Sequence, residues 1–190
     1  MVMGVSAPMQ VAAADSYVAS GGVLLAILAT PPETSGERTL KRLELARQLL
    51  GFREVRVVNV LDVATFRTNG MSTAGKEPAP WLKSRPAISD GIAECDGVVL
   101  GYGVTEPSGT ARGHYRNQLD WLWGQLDVLA APIWSVELPP RHPSRWHRLT
   151  YKTSPGADFE TMLPSVLLRV DTQEVRGDAK GLSSAKGEAG

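Results

Sequence analysis

Mainly apolar runs alternate with helical patterning along most of this chain. The runs cover residues 22–29, 55–60, 97–103 and 131–136, and the second of them ends near a polar Asn59. The continuous run at 22–29 is typical of a strand covered on both faces. Strands that alternate with helices predict a parallel sheet with right-handed crossovers. We therefore expect an α/β fold of three layers, αβα, around a central four-stranded parallel sheet.

The segments between these runs differ in how clearly they predict structure. Residues 37–50 and 115–129 carry apolar side chains three and four positions apart, which predicts helices. Gly51 is suited to end the first of them. Residues 87–94 favour a short helix. Residues 61–85 show no consistent period, and a connection of this length inside a compact domain is usually functional.

A single domain accounts for most of the chain. The length of 190 residues suits one domain with a real core. We place this domain at residues 21–170, whose last apolar run, 161–170, fits either a helix or an edge strand. Residues 1–20 are expected to form an N-terminal arm. Residues 171–190 are dominated by Gly, Ser, Lys, Glu and Ala, which predicts a disordered tail.

Composition narrows the class of protein. The formal net charge is zero. The single cysteine, Cys95, excludes an internal disulfide and a cysteine-rich zinc site, and His114 and His147 lack partners at metal-ligand spacing. No apolar run approaches the ~20 residues that span a bilayer. We therefore expect a cytoplasmic monomer with no membrane contact, metal or cofactor.

A basic loop follows the fourth apolar run. Pro139 and Pro140 end that strand, because proline lacks the N–H that a sheet ladder needs. Residues 141–152 then hold several arginine and lysine side chains and no acidic residue. A concentrated positive loop on a neutral chain favours an anionic partner. The alternative is a solvated loop with a structurally satisfied histidine.

Short motifs follow each of the four predicted strands. They are Thr30-Pro31, Asn59, Tyr102-Gly103 and His142-Pro143-Ser144. Parallel strands have their carboxyl ends at one edge of the sheet, where open α/β folds bind ligands. We therefore expect Asn59 and His142 to lie in one pocket at that edge.

In this order the motifs resemble those of the uracil-DNA glycosylase superfamily. That family has an Asp-Pro or Asn-Pro motif after its first strand and a base-reading asparagine after its second. An aromatic-Gly pair ends its third strand and a His-Pro-Ser loop follows its fourth. The chain is also similar to an uncharacterised bacterial and phage domain family that shares a Thr-x-x-Arg helix start (Thr39, Arg42), a Val-Val-Asn strand end and a Pro-Arg-His-Pro loop. The resemblance covers about residues 22–152 and implies a uracil-DNA-glycosylase-like fold.

The resemblance implies roles for the matching residues. His142 would stabilise the departing base where negative charge develops. Asn59 would read one edge of a flipped base, since an amide offers a donor and an acceptor. Trp146 or Arg145 would fill the gap in the base stack, although a ring packed at the domain edge is the alternative for Trp146. Two further roles are assigned. Base binding is assigned to Pro31, Tyr102 and Ser144. Contacts with the DNA backbone are assigned to Arg141, Arg145, Arg148, Lys152 and Arg67.

The first motif departs from the family pattern. Thr30 stands where the family has Asp or Asn to position the attacking water, and a threonine hydroxyl orients water but is a poor base at neutral pH. Glu33 and Asp62 are candidates for the missing carboxylate. Pro32 replaces a residue with which the family shapes its base pocket. The substrate therefore need not be plain uracil, and the alternatives are a modified base or a guanine- or cytosine-type base.

Three functions fit these observations. The first is a DNA glycosylase, a hydrolase of DNA repair or phage defence, that acts on a base flipped out of single- or double-stranded DNA. The second is an enzyme on free nucleotides or nucleosides that uses the same pocket. The third is a catalytically silent reader of nucleic acid. Salt dependence of binding separates them, because a duplex binder shows a steep slope and a nucleotide enzyme a shallow one.

Overall fold

A computed structural model describes residues 21–65 and 68–172 of the chain. The predicted N-terminal arm, Arg67 and nearly all of the predicted tail lie outside the described residues. The elements in chain order are β1 (Val23–Leu28), α1 (Glu37–Leu49), β2 (Glu54–Asn59), α2 (Thr68–Ala74), α3 (Ala79–Glu94), β3 (Gly97–Gly101), α4 (Ala111–Leu126), β4 (Ile133–Val136), a short 3₁₀ helix (Pro143–Arg145), α5 (Trp146–Thr153), α6 (Phe159–Val166) and β5 (Leu167–Arg169).

The strands form one five-stranded sheet in the order β2-β1-β3-β4-β5. The four predicted strands are parallel to one another, as expected. The expected strand number is wrong, because β5 adds an antiparallel edge strand beside β4. The apolar run at 161–170 is divided between α6 and β5, so both of its predicted structures occur in one segment.

Helices cover both faces of the sheet, which gives three layers. Successive strand residues point to opposite faces. In β1, therefore, Leu24 and Ala26 pack on the side of α1, α5 and α6, whereas Leu25 and Ile27 pack on the side of α2, α3 and α4. The buried runs of β1, β3 and β4 reflect this double coverage, whereas the edge strand β2 is partly exposed. Burial of these side chains makes the sheet a rigid platform for the loops at its carboxyl edge.

The helix predicted at 37–50 is confirmed as α1. Gly51 follows it with a φ of 76°, a left-handed conformation that glycine adopts without the steric cost of a Cβ. The helix predicted at 115–129 is α4, which begins a turn earlier, at Ala111.

Residues 61–85 hold more structure than their sequence indicates. They contain α2 and the first part of α3, so the prediction of an unpatterned connection is wrong, and the short helix predicted at 87–94 is only the end of α3. Pro78 and Pro80 lie at the start of α3, where a missing N–H costs no helical hydrogen bond. These prolines conceal the helix in the sequence, although its buried side chains have helical spacing. Those side chains are Trp81, Ser84 and Ile88.

Candidate functional site

A cleft lies where the strand order reverses. The chain passes from β1 to β2 on one side and then to β3 on the other, and such a reversal leaves a crevice at the carboxyl ends of the strands. The cleft has a volume of about 1260 Å³. Its lining includes Ala29 and Thr30 after β1, Tyr102 and Gly103 after β3, His142 and Ser144 after β4, and the first turns of α1. Three of the four predicted strand exits therefore meet in one cleft.

The loop after β4 packs closely on the end of β3. A Cβ placed on Gly101 would lie 2.9 Å from Cδ of Pro143 and 2.9 Å from a methyl carbon of Leu28. Any side chain at Gly101 would displace one of them. The glycine that ends β3 thus lets the His-Pro-Ser loop approach the cleft.

Arg42 of α1 anchors the same loop from the other side. Its Nη1 donates to the carbonyl oxygen of Pro143 at 2.7 Å, and its Nη2 lies 3.1 Å from Nδ1 of His147. The guanidinium carbon also lies 5.2 Å from the centre of the Phe159 ring, which is a cation–π distance. A planar fork with several donors can make these contacts at once, whereas a lysine cannot. The arginine of the Thr-x-x-Arg motif therefore has a structural role beside the site.

His142 lines the cleft as a neutral ring with a defined tautomer. The backbone N–H of Ser144 donates to Nδ1 at 3.2 Å, and the Ser144 hydroxyl lies 2.9 Å from the same atom. Because Nδ1 accepts, the proton of the neutral ring is on Nε2. Burial, and then the charges of Arg145 and Arg42, lower the pKa of His142 from 6.5 to about 4. At neutral pH the ring is an uncharged donor.

Arginines line two walls of the cleft. Arg145 and Arg148 line it from the loop and α5, and Arg38 lines it from α1. Among residues 21–65 and 68–172, no carboxylate forms an ion pair with any of the three. Their charges therefore remain open to an anionic ligand.

Two other basic side chains on the lining are already paired. Lys41 forms an ion pair with Glu37 at 2.8 Å, and Arg141 is paired with Glu137. The predicted contact of Arg141 with the DNA backbone would therefore compete with its ion pair to Glu137. Lys152 is exposed on α5 and does not line the cleft.

A pair of threonine hydroxyls lies at the end of β1. The Oγ1 atoms of Thr30 and Thr65 are 2.8 Å apart, and both residues line the cleft. The N–H of Thr65 also donates to the carbonyl oxygen of Pro31 at 3.1 Å. The segments that follow β1 and β2 are thus joined here, and Thr65 is a cleft residue that the sequence did not predict.

Tyr102 forms an apolar part of the wall. It is 5% exposed, and burial, with a smaller effect of Tyr115, raises the pKa of its hydroxyl. The phenol stays protonated across the physiological range. Tyr102 lines the cleft at the end of β3, and its role in base binding stays a prediction.

Several predicted site residues do not line the cleft. They are Pro31, Glu33, Asn59, Asp62, Trp146 and Lys152. Asn59 ends β2, which is separated from β4 by β1 and β3, so the cleft that contains His142 does not contain Asn59. The Oδ1 atom of Asn59 is buried and has no hydrogen-bond partner in the described part of the chain.

The two candidate carboxylates are placed elsewhere. Asp62 forms an ion pair with Lys83 of α3 at 2.7 Å, and its N–H donates to the carbonyl oxygen of Pro80. Glu33 is exposed in the loop before α1. Neither is positioned on the cleft wall to replace the carboxylate that Thr30 lacks, so this interpretation of the sequence is not supported by the geometry.

The interpretation of Trp146 as a side chain inserted into a base stack is wrong. Its relative exposure is 0%, and its indole N–H donates to the carbonyl oxygen of Arg141 at 2.8 Å. The ring packs in the core layer with Leu163 and Val166 of α6. Most of the segment predicted as a basic loop is helical, in the 3₁₀ helix and α5, and Trp146 faces inward from the first turn of α5.

Arg38 and Lys41 are cleft residues that sequence reasoning missed. The available signal was their proximity to Thr39 and Arg42, which the resemblance had singled out. Because α1 begins directly at the cleft, residues in its first turns face the ligand site.

Comparisons of the chain with known proteins found no related protein: no protein-family model, curated protein or solved structure matches it. Among the described residues, no group of three or more His, Cys, Asp or Glu side chains is placed to hold a metal ion. No described helix is long and apolar enough to cross a membrane.

Proposed function

We propose that the protein is a DNA glycosylase that hydrolyses the bond between deoxyribose and a damaged or modified base. The observation that carries this proposal is the neutral His142 ring, whose tautomer places a proton on Nε2 beside a basic cleft. Such a donor suits a reaction in which an anion develops on a leaving group. The uracil-DNA-glycosylase-like fold implied by the ordered motifs belongs to the same proposal.

The proposed reaction breaks the bond between C1′ and the base nitrogen, and the electron pair leaves with the base. His142 donates a hydrogen bond from Nε2 to a base oxygen that gains charge. Water adds to C1′, and its released proton ends on the base. Because His142 starts neutral, the charge of the leaving group is met by a hydrogen bond rather than by a full proton transfer.

The threonine pair supports the water step. The hydroxyls of Thr30 and Thr65 are 2.8 Å apart on the cleft wall, so each can accept or donate to a water between wall and sugar. Neither hydroxyl is a base at neutral pH, which makes stabilisation of the departing base the larger part of the rate acceleration.

The resemblance assigns the reading of the base to Asn59, but Asn59 does not line the cleft that contains His142. The proposal therefore assigns no base-reading role to Asn59, whose buried Oδ1 has no hydrogen-bond partner among the described residues.

The test is base release from oligonucleotides that each carry one modified base, followed by alkaline cleavage at abasic sites. Scission of at least one substrate by the protein is expected, with loss of scission in His142→Ala. His114→Ala is the matched control, because His114 lies on α4 and does not line the cleft. Absence of base release from every substrate would refute the proposal.

An enzyme on free nucleotides or nucleosides is the second candidate. Arginines without an ion-pair partner among the described residues lie on both the α1 wall and the α5 wall. Arginines on two sides of a cleft also suit the phosphate group of a single nucleotide. Turnover of a free nucleotide together with a shallow salt dependence of binding would favour it over the glycosylase.

A further inference from the structure

An exposed aromatic side chain continues the basic face that leaves the cleft. Tyr151 on α5 is 66% exposed, although Tyr is a residue that usually buries much of its ring. It lies three positions after Arg148, which lines the cleft, and Lys152 lies four positions after Arg148. Residues three and four apart share one face of a helix. We call Arg145, Arg148, Tyr151 and Lys152 the α5 track.

The charges of the α5 track are not neutralised internally. In the described ranges, none of its three basic side chains forms an ion pair with a carboxylate. In the segment between α5 and α6, the carboxylate of Asp158 caps α6 by accepting from the N–H groups of Glu160 and Thr161. A surface of this kind is complementary to a polyanion.

The position of Tyr151 separates it from other exposed apolar side chains. Leu82 and Val128 are exposed at 51% and 85%, but neither belongs to a basic face or lines the cleft. Val104 is 45% exposed and lines the cleft, but it carries no ring. Among the described large apolar side chains that are exposed, Tyr151 is the aromatic one, and it lies beside Arg148 and Lys152 on a helix that begins at the cleft.

An aromatic ring set among cations is the arrangement with which proteins hold unpaired nucleotides. Cations track the phosphates, and the ring stacks on a base whose face is free. In an intact duplex the base faces are covered by their neighbours, so such a ring gains little. The buried Trp146 leaves this loop without its candidate aromatic wedge for opening a duplex.

We propose that the α5 track binds single-stranded DNA, with Tyr151 stacked on a base next to the nucleotide that occupies the cleft. This inference rests on the proposed function, because it assumes that a nucleotide of the DNA substrate occupies the cleft. It specifies that substrate as single-stranded rather than duplex DNA. Arg148 and Lys152 contact the phosphates on either side of the stacked base.

The test is fluorescence anisotropy of a labelled single-stranded oligonucleotide and of the same sequence as a duplex. Tighter binding of the single strand is expected. Tyr151→Ala should weaken single-strand binding roughly tenfold and leave duplex binding unchanged, whereas Tyr151→Phe keeps a ring and should retain most of the affinity. Val128→Ala, an exposed substitution away from the cleft, is the matched control.

The outcomes separate this inference from the glycosylase. Single-strand binding that depends on Tyr151 without release of any base would support the track and refute the glycosylase. Base release from duplex DNA with no effect of Tyr151→Ala on binding or release would overturn the track and leave the glycosylase standing. Equal loss in Tyr151→Ala and Tyr151→Phe would also overturn stacking, because the hydroxyl and not the ring would then make the contact.

Discussion

The exits of β4 and β2 flank the reversal in strand order on opposite sides but differ in what they contribute. Each strand lies one position away from the reversal between β1 and β3. After β4 the chain folds back over β3, with Pro143 against Gly101, and places His142 in the cleft. After β2 the chain first turns to α3, where Asp62 pairs with Lys83, and of the described residues 60–65 only Thr65 lines the cleft. The direction of the loop, and not the position of the strand, decides which polar residues reach the ligand site.

The largest expected effect tests the β4 exit. His142→Ala should lower the rate of base release by ~10²–10³, the usual cost of one lost donor at a developing anion. Thr30→Ala, at the β1 exit, should cost less because a hydroxyl there only orients water. Single-turnover kinetics on the cleaved substrate measure both. Loss of turnover in Thr30→Ala alone, with His142→Ala near wild type, would contradict the leaving-group account.

The second effect concerns stability and comes from the lowered pKa of His142. Between pH 6.5 and about pH 4 the unfolded chain binds a proton at His142 that the folded protein does not bind. Acidification through this window therefore favours unfolding, by about 3 kcal/mol in total. Above the window neither state is protonated, and below it both are.

Urea titrations at several pH values between 7 and 4 measure this contribution. The matched variant is His142→Asn, which cannot titrate, so the loss of stability on acidification should be smaller in the variant. Parallel pH dependences of the two proteins would show that the folded state does not hold His142 neutral.

The third effect compares charges at the two exits. Arg145→Ala with Arg148→Ala should weaken nucleic-acid binding roughly tenfold at moderate salt and reduce the salt slope by about one for each arginine lost. Lys83→Gln removes a cation at the β2 exit and should leave affinity and slope unchanged. Affinity measured at several salt concentrations checks both, and an unchanged affinity of the double variant would move the free-nucleotide enzyme ahead of the glycosylase.

The smallest effect belongs to Asp62. Its ion pair with Lys83 is largely exposed, and exposed pairs contribute little to stability. Asp62→Asn should therefore keep base release within about twofold of wild type and change the free energy of unfolding by less than about 1 kcal/mol. A loss of release comparable to that of His142→Ala would restore Asp62 as the water-activating carboxylate and remove the contrast between the exits.

Much of the fold follows from local pattern. The four parallel strands, the helices α1 and α4, and the end of α1 at Gly51 are encoded by apolar spacing and by glycine, which act within a few residues. The first part of α3 was hidden by prolines that a first turn tolerates. The strand β5 was hidden because three residues carry too little pattern to separate a strand from the end of a helix.

The candidate site also has a part that the sequence determines and a part that only the tertiary structure decides. By itself the sequence determined that polar motifs follow the strands, that residues 141–152 are basic, and that a histidine stands among them. Only the tertiary structure decided that Trp146 faces the core, that Asp62 is held by Lys83, and that Arg42 supports the loop of His142. These facts join residues far apart in the chain, so they depend on strand order and loop direction, which no local period records.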